Sequence, residues 1–343
     1  MPNLPKLKLS AAVLALVAFL AVPAAAGATL SYTKGFAKPK VYIAENNGKG
    51  AKSIGAGRNS HISPDGETVV YERETKQGGE MRLYSVAVKK SERLLNPWTE
   101  GFVFAWSPDS TMIAATTGGL NGPQTLLVIN TETLKRTKIA TGFFNGVSFS
   151  PTGEELVYGV SRTSDYPLKS DVYRESVDGT GKVSLSHDKN SAYPLWGPKG
   201  QIVFARQLGA KTRRYGPANQ LFVMNEDGER ISRLTHTKVN PLAQGLVPLA
   251  FSPNGARLLT EFGGQDQSYG VAVSTVTGSE KKLTNDPEMG FQASALSADG
   301  STILGTTGLS FGGNPKPKIV TVPWGGGAEK VLVTGGYSPS WSE

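Results

Sequence analysis

Short apolar runs, each closed by a turn, recur along this chain. The clearest is FAWSPDSTMIAATTG from Phe104 to Gly118, where one run ends in Trp106. Ser107-Pro108-Asp109-Ser110 then reads as a turn, and a second run of strand-like composition follows. The phrase returns as HISPDGETVVYE from His61, VSFSPTGEELVYG from Val147, PLWGPKGQIVFAR from Pro194, LAFSPNGARLLTE from Leu249 and ALSADGSTILGT from Ala295. Its second turn position falls at residues 64, 108, 151, 198, 253 and 298, in steps of 44, 43, 47, 55 and 45. Self-similarity at that period marks a repeat architecture.

The turn explains the recurrence. Proline at the first central position presets φ near the type I value. Asp65, Asp109 or Asn254 follows and can bond its own backbone, and a later glycine tolerates positive φ. Runs such as Thr68-Val69-Val70-Tyr71 and Leu156-Val157-Tyr158 suit a pleated, half-buried surface. Each repeat therefore opens with a hairpin, and its serines, prolines and aspartates are expected to serve the turn rather than chemistry. After the hairpin come two more strands. In one repeat the four are Tyr193–Trp196, Gln201–Gln207, Gln220–Asn225 and Arg230–Thr235, the last entered through Glu226-Asp227-Gly228.

The two ends of the chain complete each other. ATLSYTK from Ala28, VYIAE from Val41 and Lys52-Ser53-Ile54 resemble the second, third and fourth strands of a repeat without its first. Ser340-Trp341-Ser342 matches Ala105-Trp106-Ser107, an inner strand stopping where its turn would begin. The expected fold is all-β: a β-propeller of four-stranded blades, seven in number, with one blade closed by both termini. Radial repetition of this kind leaves only short, protected edges. Six blades with a frayed N-terminus is the alternative.

Composition bounds what such a fold can do. The 343 residues include 41 glycines and 21 prolines, in keeping with many turns, and no cysteine, which excludes disulfides and thiolate chemistry. Residues 1–26 read as a signal peptide: Lys6 and Lys8, an apolar run of 12 residues from Ala11 to Val22, Pro23, then Ala24-Ala25-Ala26. That run is short of the ~20 residues a spanning helix needs. Residues 27–343 are expected to form a single propeller domain, periplasmic or secreted, monomeric, and without a transmembrane segment after cleavage. The whole chain carries +8 and loses two lysines with the leader, a balance that suits an anionic partner. Nucleic acid is not expected, since no recognition motif for it is present.

WSPDS, FSPTG and FSPNG, the Leu-Thr steps at Leu234-Thr235 and Leu283-Thr284, and the hairpin LFVMNEDGERISRLT from Leu221 resemble the repeats of TolB-type propellers. The resemblance covers essentially the whole chain after the leader and implies the propeller, without the separate N-terminal α/β domain that TolB carries. For function it implies work in the cell envelope only by analogy, since one fold hosts many activities.

Catalytic constellations are not apparent. His187 and His236 follow the fourth strands of consecutive repeats, where equivalent points on neighbouring blades diverge, whereas zinc ligands lie about 2 Å from one ion. His61 lies in an inner strand and can face the central channel. No G-x-S-x-G elbow is present, and Gly48-Lys49-Gly50-Ala51-Lys52-Ser53 lacks the phosphate-loop pattern and precedes a strand. No catalytic residue, metal site or cofactor is assigned.

Charge is the more informative signal. Loops joining second to third strands, at 34–40, 74–80, 118–125, 161–170, 207–217, 263–268 and 310–318, carry +7 in total, while the opposite face is slightly acidic. Two of them supply the expected binding residues: Lys211, Arg213, Arg214 and Tyr215 in the first, Lys316 and Lys318 in the second. Arginine and tyrosine are enriched at interface hot spots. The expectation is a non-enzymatic scaffold that meets a protein or an anionic envelope component through this face. The alternative is an enzyme, a hydrolase or lyase, acting on a small or carbohydrate substrate in the channel. Convergent carboxylates there would favour the enzyme, and small and apolar residues the scaffold.

Overall fold

The computed structural model describes residues 30–98, 104–118, 122–164, 169–209, 218–239, 243–264, 268–284, 290–309 and 315–342. Their regular structure is all-β, 27 strands with antiparallel pairing throughout except for one parallel bridge. Among the described residues no helix is long and apolar enough to cross a membrane.

Each repeat folds into the hairpin its turn dictates, and the turn serine organises it. Ser63 Oγ donates to Asp65 at 2.5 Å and accepts the Thr68 N–H at 3.0 Å, while Asp65 accepts the Glu67 N–H at 2.9 Å. The same set recurs at Ser107–Asp109–Met112, Ser252–Asn254–Arg257 and Ser297–Asp299–Thr302. Where glycine replaces the serine, at Gly197, the backbone closes the turn with Gln201 at 2.7 Å. The expected turn duty of these residues is what the structure shows.

Strand order follows the repeat. One four-stranded sheet runs Arg58–Ile62, Thr68–Thr75, Gly78–Ser85, Lys90–Trp98, and another runs Gln292–Leu296, Thr302–Thr307, Lys318–Pro323, Lys330–Thr334. In a seven-stranded sheet the long strand Arg136–Phe149 serves twice. Its first half pairs with Gln124–Asn130 and its second half with Glu155–Ser161. A third pair of units, led by Ser191–Trp196 and Gly245–Phe251, is joined by the single parallel bridge Asn219↔Gly245. That close approach needs glycine, because a Cβ on Gly245 would lie 2.4 Å from the Asn219 carbonyl oxygen. The fourth strand expected at Arg230–Thr235 is shorter than its sequence suggests, pairing only over Ser232–Arg233.

The chain ends meet as their sequences anticipate. Gly336–Trp341 pairs antiparallel with Leu30–Lys34, bringing Leu30 opposite Trp341 and Lys34 opposite Gly336, in a sheet continued by Lys40–Ala44 and Lys52–Ala56. Each apolar cluster lies between two consecutive units. Leu94 and Met81 pack with Ile113 and Ile129, and Val157 and Val172 pack with Trp196 and Phe204. Leu304 and Ile319 pack with Leu30 and Tyr32, and Val41 packs with Ile62 and Val69.

Trp106 and Trp196 occupy matching places before their turns, and both are expected to be buried. Only Trp196 is, at 7% exposure; Trp106 is half-buried, although both line the central cavity. Replacing Trp196 by alanine is expected to cost ~3–5 kcal/mol. Trp106→Ala should cost roughly half as much, since less area leaves water. Denaturant titration of both variants checks the order. Deleting residues 337–343 strips the strand from Leu30–Lys34 and uncovers its apolar neighbours, so the truncated chain should melt substantially lower or aggregate. An unchanged melting temperature would contradict the pairing.

Candidate functional site

Two regions of the molecule gather chemistry: a cavity among the inner strands, and the loops that join second to third strands. The cavity, of about 600 Å³, is lined by the ends of the inner strands, at residues 61–62, 104–106, 147–149, 195–196, 249–251, 294–296 and 340–341, and by the turns that follow them. A register shift breaks the inner strand's pairing at Arg58/His61, Phe144/Val147, Ala192/Leu195, Pro248/Ala250 and Ala293/Ala295, and opposite Ser31/Thr33. Asn59, Tyr193 and Ser338 take positive φ there, near 50°. A bulge of this kind re-aims the side chains beyond it, and the residues beyond these bulges are the ones that face the cavity.

Bulging leaves backbone donors on the inner edges, and side chains from the neighbouring inner strand take them up. Ser340 Oγ accepts the Ile62 N–H at 3.3 Å, Ser148 Oγ accepts the Trp196 N–H at 3.2 Å, and Asn145 Oδ1 accepts the Tyr193 N–H at 3.3 Å. The Trp341 indole donates to the Leu296 carbonyl at 2.9 Å. Phe104, Trp106, Phe149, Trp196, Phe251 and Trp341 supply most of the apolar wall.

Among the described lining residues there is no carboxylate and no lysine or arginine, and His61 is the one imidazole. Its ring lies 5.0 Å from that of Phe104, tilted by 31°. Enclosure by protein lowers its pKa from 6.5 to about 4, because the charged form loses its hydration. At neutral pH it is an uncharged imidazole. His187 and His236 are exposed and apart from this cavity; the His187 ring lies 3.4 Å from Ser184 Oγ, and the His236 N–H donates to Glu280 at 3.0 Å. Among the described residues no three histidine, aspartate or glutamate side chains come together as a metal site.

A second displaced titration sits at Glu261, on the strand Arg257–Gly263. Ser268 Oγ donates to one carboxyl oxygen and the other is buried without a partner. Burial raises its pKa to about 7 against those hydrogen bonds.

The loop face carries the second feature. Tyr337, at the start of the last inner strand, stacks on Phe36 with centroids 4.7 Å apart and planes 7° from parallel, and donates to the Gly35 carbonyl at 3.1 Å. Phe36 is 52% exposed. Lysines lie in the same and the neighbouring loop, the Lys34 ammonium over the Tyr32 and Tyr42 rings at 5.8 and 5.7 Å. Lys34 is half-buried, and Lys38 and Lys40 are exposed. Lys316 and Lys318 are exposed on the neighbouring loop, which the Pro317 carbonyl ties to Gly335 at 2.8 Å. Arg58 stands nearby, held by Glu72 at 3.2 Å and Glu74 at 3.5 Å.

Of the expected binding residues, Lys316 lies in a loop and Lys318 at the start of the strand Lys318–Pro323, both exposed, while Lys211, Arg213, Arg214 and Tyr215 fall outside the described residues. The Phe36–Tyr337 pair was not foreseen, because its members come from opposite ends of the chain. The bulges were legible in part: Pro194, Pro248 and Pro339 recur at or beside them, and proline within a strand marks an edge or a bulge.

No protein-family model matches the sequence, and no curated protein matches it. Solved structures do. An oligogalacturonate lyase in complex with manganese shares 14% identity at a TM-score of 0.59, over 89% of this chain and 85% of that one. TolB from Acinetobacter baumannii shares 12% at 0.56, over 91% and 82%. The β-propeller domain of the trilobed protease from Pyrococcus furiosus, described with an open velcro topology, shares 14% at 0.63, over 90% and 93%. The chain has a TolB-like β-propeller fold.

The two displaced groups act on stability in opposite directions. His61 binds its proton later in the folded state than in the unfolded one. Its neutral-form advantage is complete above pH ~6.5 and lost as pH falls toward 4, by up to about 3 kcal/mol at ~1.4 kcal/mol per unit. Glu261 holds its proton longer when folded, so its contribution is complete below pH ~4.5 and lost as pH rises toward 7, by about 2–3 kcal/mol. Between pH 4.5 and 6.5 the two offset one another, so His61→Phe should leave the melting temperature falling as pH rises and Glu261→Gln should leave it rising, each more steeply than in the parent. A thermal series over that range in all three proteins checks both signs.

Proposed function

We propose that this protein is an exported, non-enzymatic binding scaffold whose basic loop face engages a protein or another anionic component of the cell envelope. In this reading the sheets are seven four-stranded blades, one of them assembled from both ends of the chain. Clusters of apolar residues between consecutive units and the pairing of Leu30–Lys34 with Gly336–Trp341 support it. Export rests on the leader pattern of residues 1–26 and places the protein in the periplasm or outside the cell.

The observation that carries the binding role is the exposed Phe36–Tyr337 stack set among Lys34, Lys38, Lys316 and Lys318. An apolar anchor with a charged rim is the usual anatomy of a protein interface. Lys211, Arg213, Arg214 and Tyr215, in a loop of the same kind, would extend that rim. The likeness to a lyase and to a protease's propeller keeps a channel enzyme as the competing reading. His61 alone speaks for it. Acid–base catalysis uses positioned proton donors and acceptors, and the described cavity wall offers only this imidazole.

The test is an affinity capture from envelope extract with the chain lacking residues 1–26, followed by titration of the partner obtained. Reversing Lys211, Arg213 and Arg214 to glutamate should weaken binding at least tenfold while leaving the melting temperature within surface limits. Adding Lys316→Glu and Lys318→Glu should weaken it further. Exposed charges are screened over about 8 Å at physiological ionic strength, so the parent should lose affinity as salt rises and the variants should respond less. Full affinity in the variants with little response to salt would move the interface off this face.

A further inference from the structure

We infer that the central cavity is itself a binding site, for one uncharged and largely apolar molecule of about twenty heavy atoms. Its volume of about 600 Å³ lies within the range of roughly 300–1,000 Å³ typical of small-molecule sites. The inference does not depend on what the loop face binds.

The chemistry of the wall selects the ligand. Phe104, Trp106, Phe149, Trp196, Phe251 and Trp341 offer aromatic surface, and the turn prolines add more at the mouth. Most of the lining hydroxyls are already engaged in holding the fold. Ser148 donates to the Phe149 carbonyl and accepts from Trp196, and Ser340 accepts from Ile62. Ser252 and Ser297 are tied into their turns. A buried water needs about two to four polar partners to be held well. Water beside these aromatic surfaces finds few in the side chains, and displacing poorly held water with an apolar group favours binding. A charged ligand would meet no opposite charge among the described lining residues and would lose its hydration without compensation. His61 beside the Phe104 ring, Ser294 and the unpartnered indole N–H groups of Trp106 and Trp196 are the uncharged polar contacts the wall can offer such a ligand.

The probe is N-phenyl-1-naphthylamine, which is neutral and brightens on leaving water. It should bind saturably, one per chain, and quench the emission of the lining tryptophans by energy transfer. The anionic analogue 8-anilino-1-naphthalenesulfonate should not displace it at up to tenfold excess. Ala295→Trp, which places bulk on the wall, should weaken the probe at least tenfold. Ala250→Leu, a smaller intrusion, serves if the first variant fails to fold and should weaken it measurably. The inference is overturned if the neutral probe shows no saturable binding or if its sulfonate displaces it equally well. It is overturned too if a folded blocking variant binds as the parent does.

Discussion

The antiparallel pairing of Gly336–Trp341 with Leu30–Lys34 is the constraint on which the other contacts depend. Without it the first sheet would present the unpaired edge of Leu30–Lys34, and the cluster of Leu30, Tyr32, Leu304 and Ile319 would open to water. The same pairing sets Tyr337 against Phe36 and brings Trp341 to the cavity wall, where its indole reaches the Leu296 carbonyl. Closure, loop face and cavity are thus three results of one strand's position. A backbone ladder achieves this with little demand on side-chain identity, which suits a repeat whose phrases vary as much as WSPDS, WGPKG and LSADG.

Polar and apolar work are kept apart. Charge gathers at the loops, where solvent supports it, while the inner strands carry aromatic residues and hydroxyls already bound to backbone. His61 and Glu261 depart from that division, each held in its neutral form by burial. Their shifts oppose one another on the pH axis, so stability should vary less between pH 4 and 7 than either group alone would cause. Ion pairs such as Arg58–Glu72 lie at the surface and contribute little beyond orientation.

Much of the fold was legible because local turn chemistry dictates it. The S-P-D-G phrase gives the hairpin, the hairpin gives the period, and the matched ends give the closing pair. What local sequence does not carry is where strands stop and what meets across the chain. Ser232–Arg233 is shorter than its composition suggests, and Arg136–Phe149 runs unbroken between two units despite Gly142 and Gly146. Trp106 reads like Trp196 in its phrase and both line the cavity, yet only Trp196 is buried. Lys316 and Lys318 were singled out by charge alone. Phe36 and Tyr337 could not be, since their significance arises only when the two ends of the chain stack.

Joining the ends also sets an order of events in folding. Hairpins close within a few residues and can form early, whereas Leu30 must find Trp341 across nearly the whole described chain. Long-range pairing of this kind is slow, because loop entropy is lost before the contact forms. Until it does, the strand Leu30–Lys34 is an open template for any other extended segment. The pairing that closes the finished molecule is therefore the most hazardous stage of making it, and a nascent chain held apart from its neighbours until its last strand docks would escape that hazard.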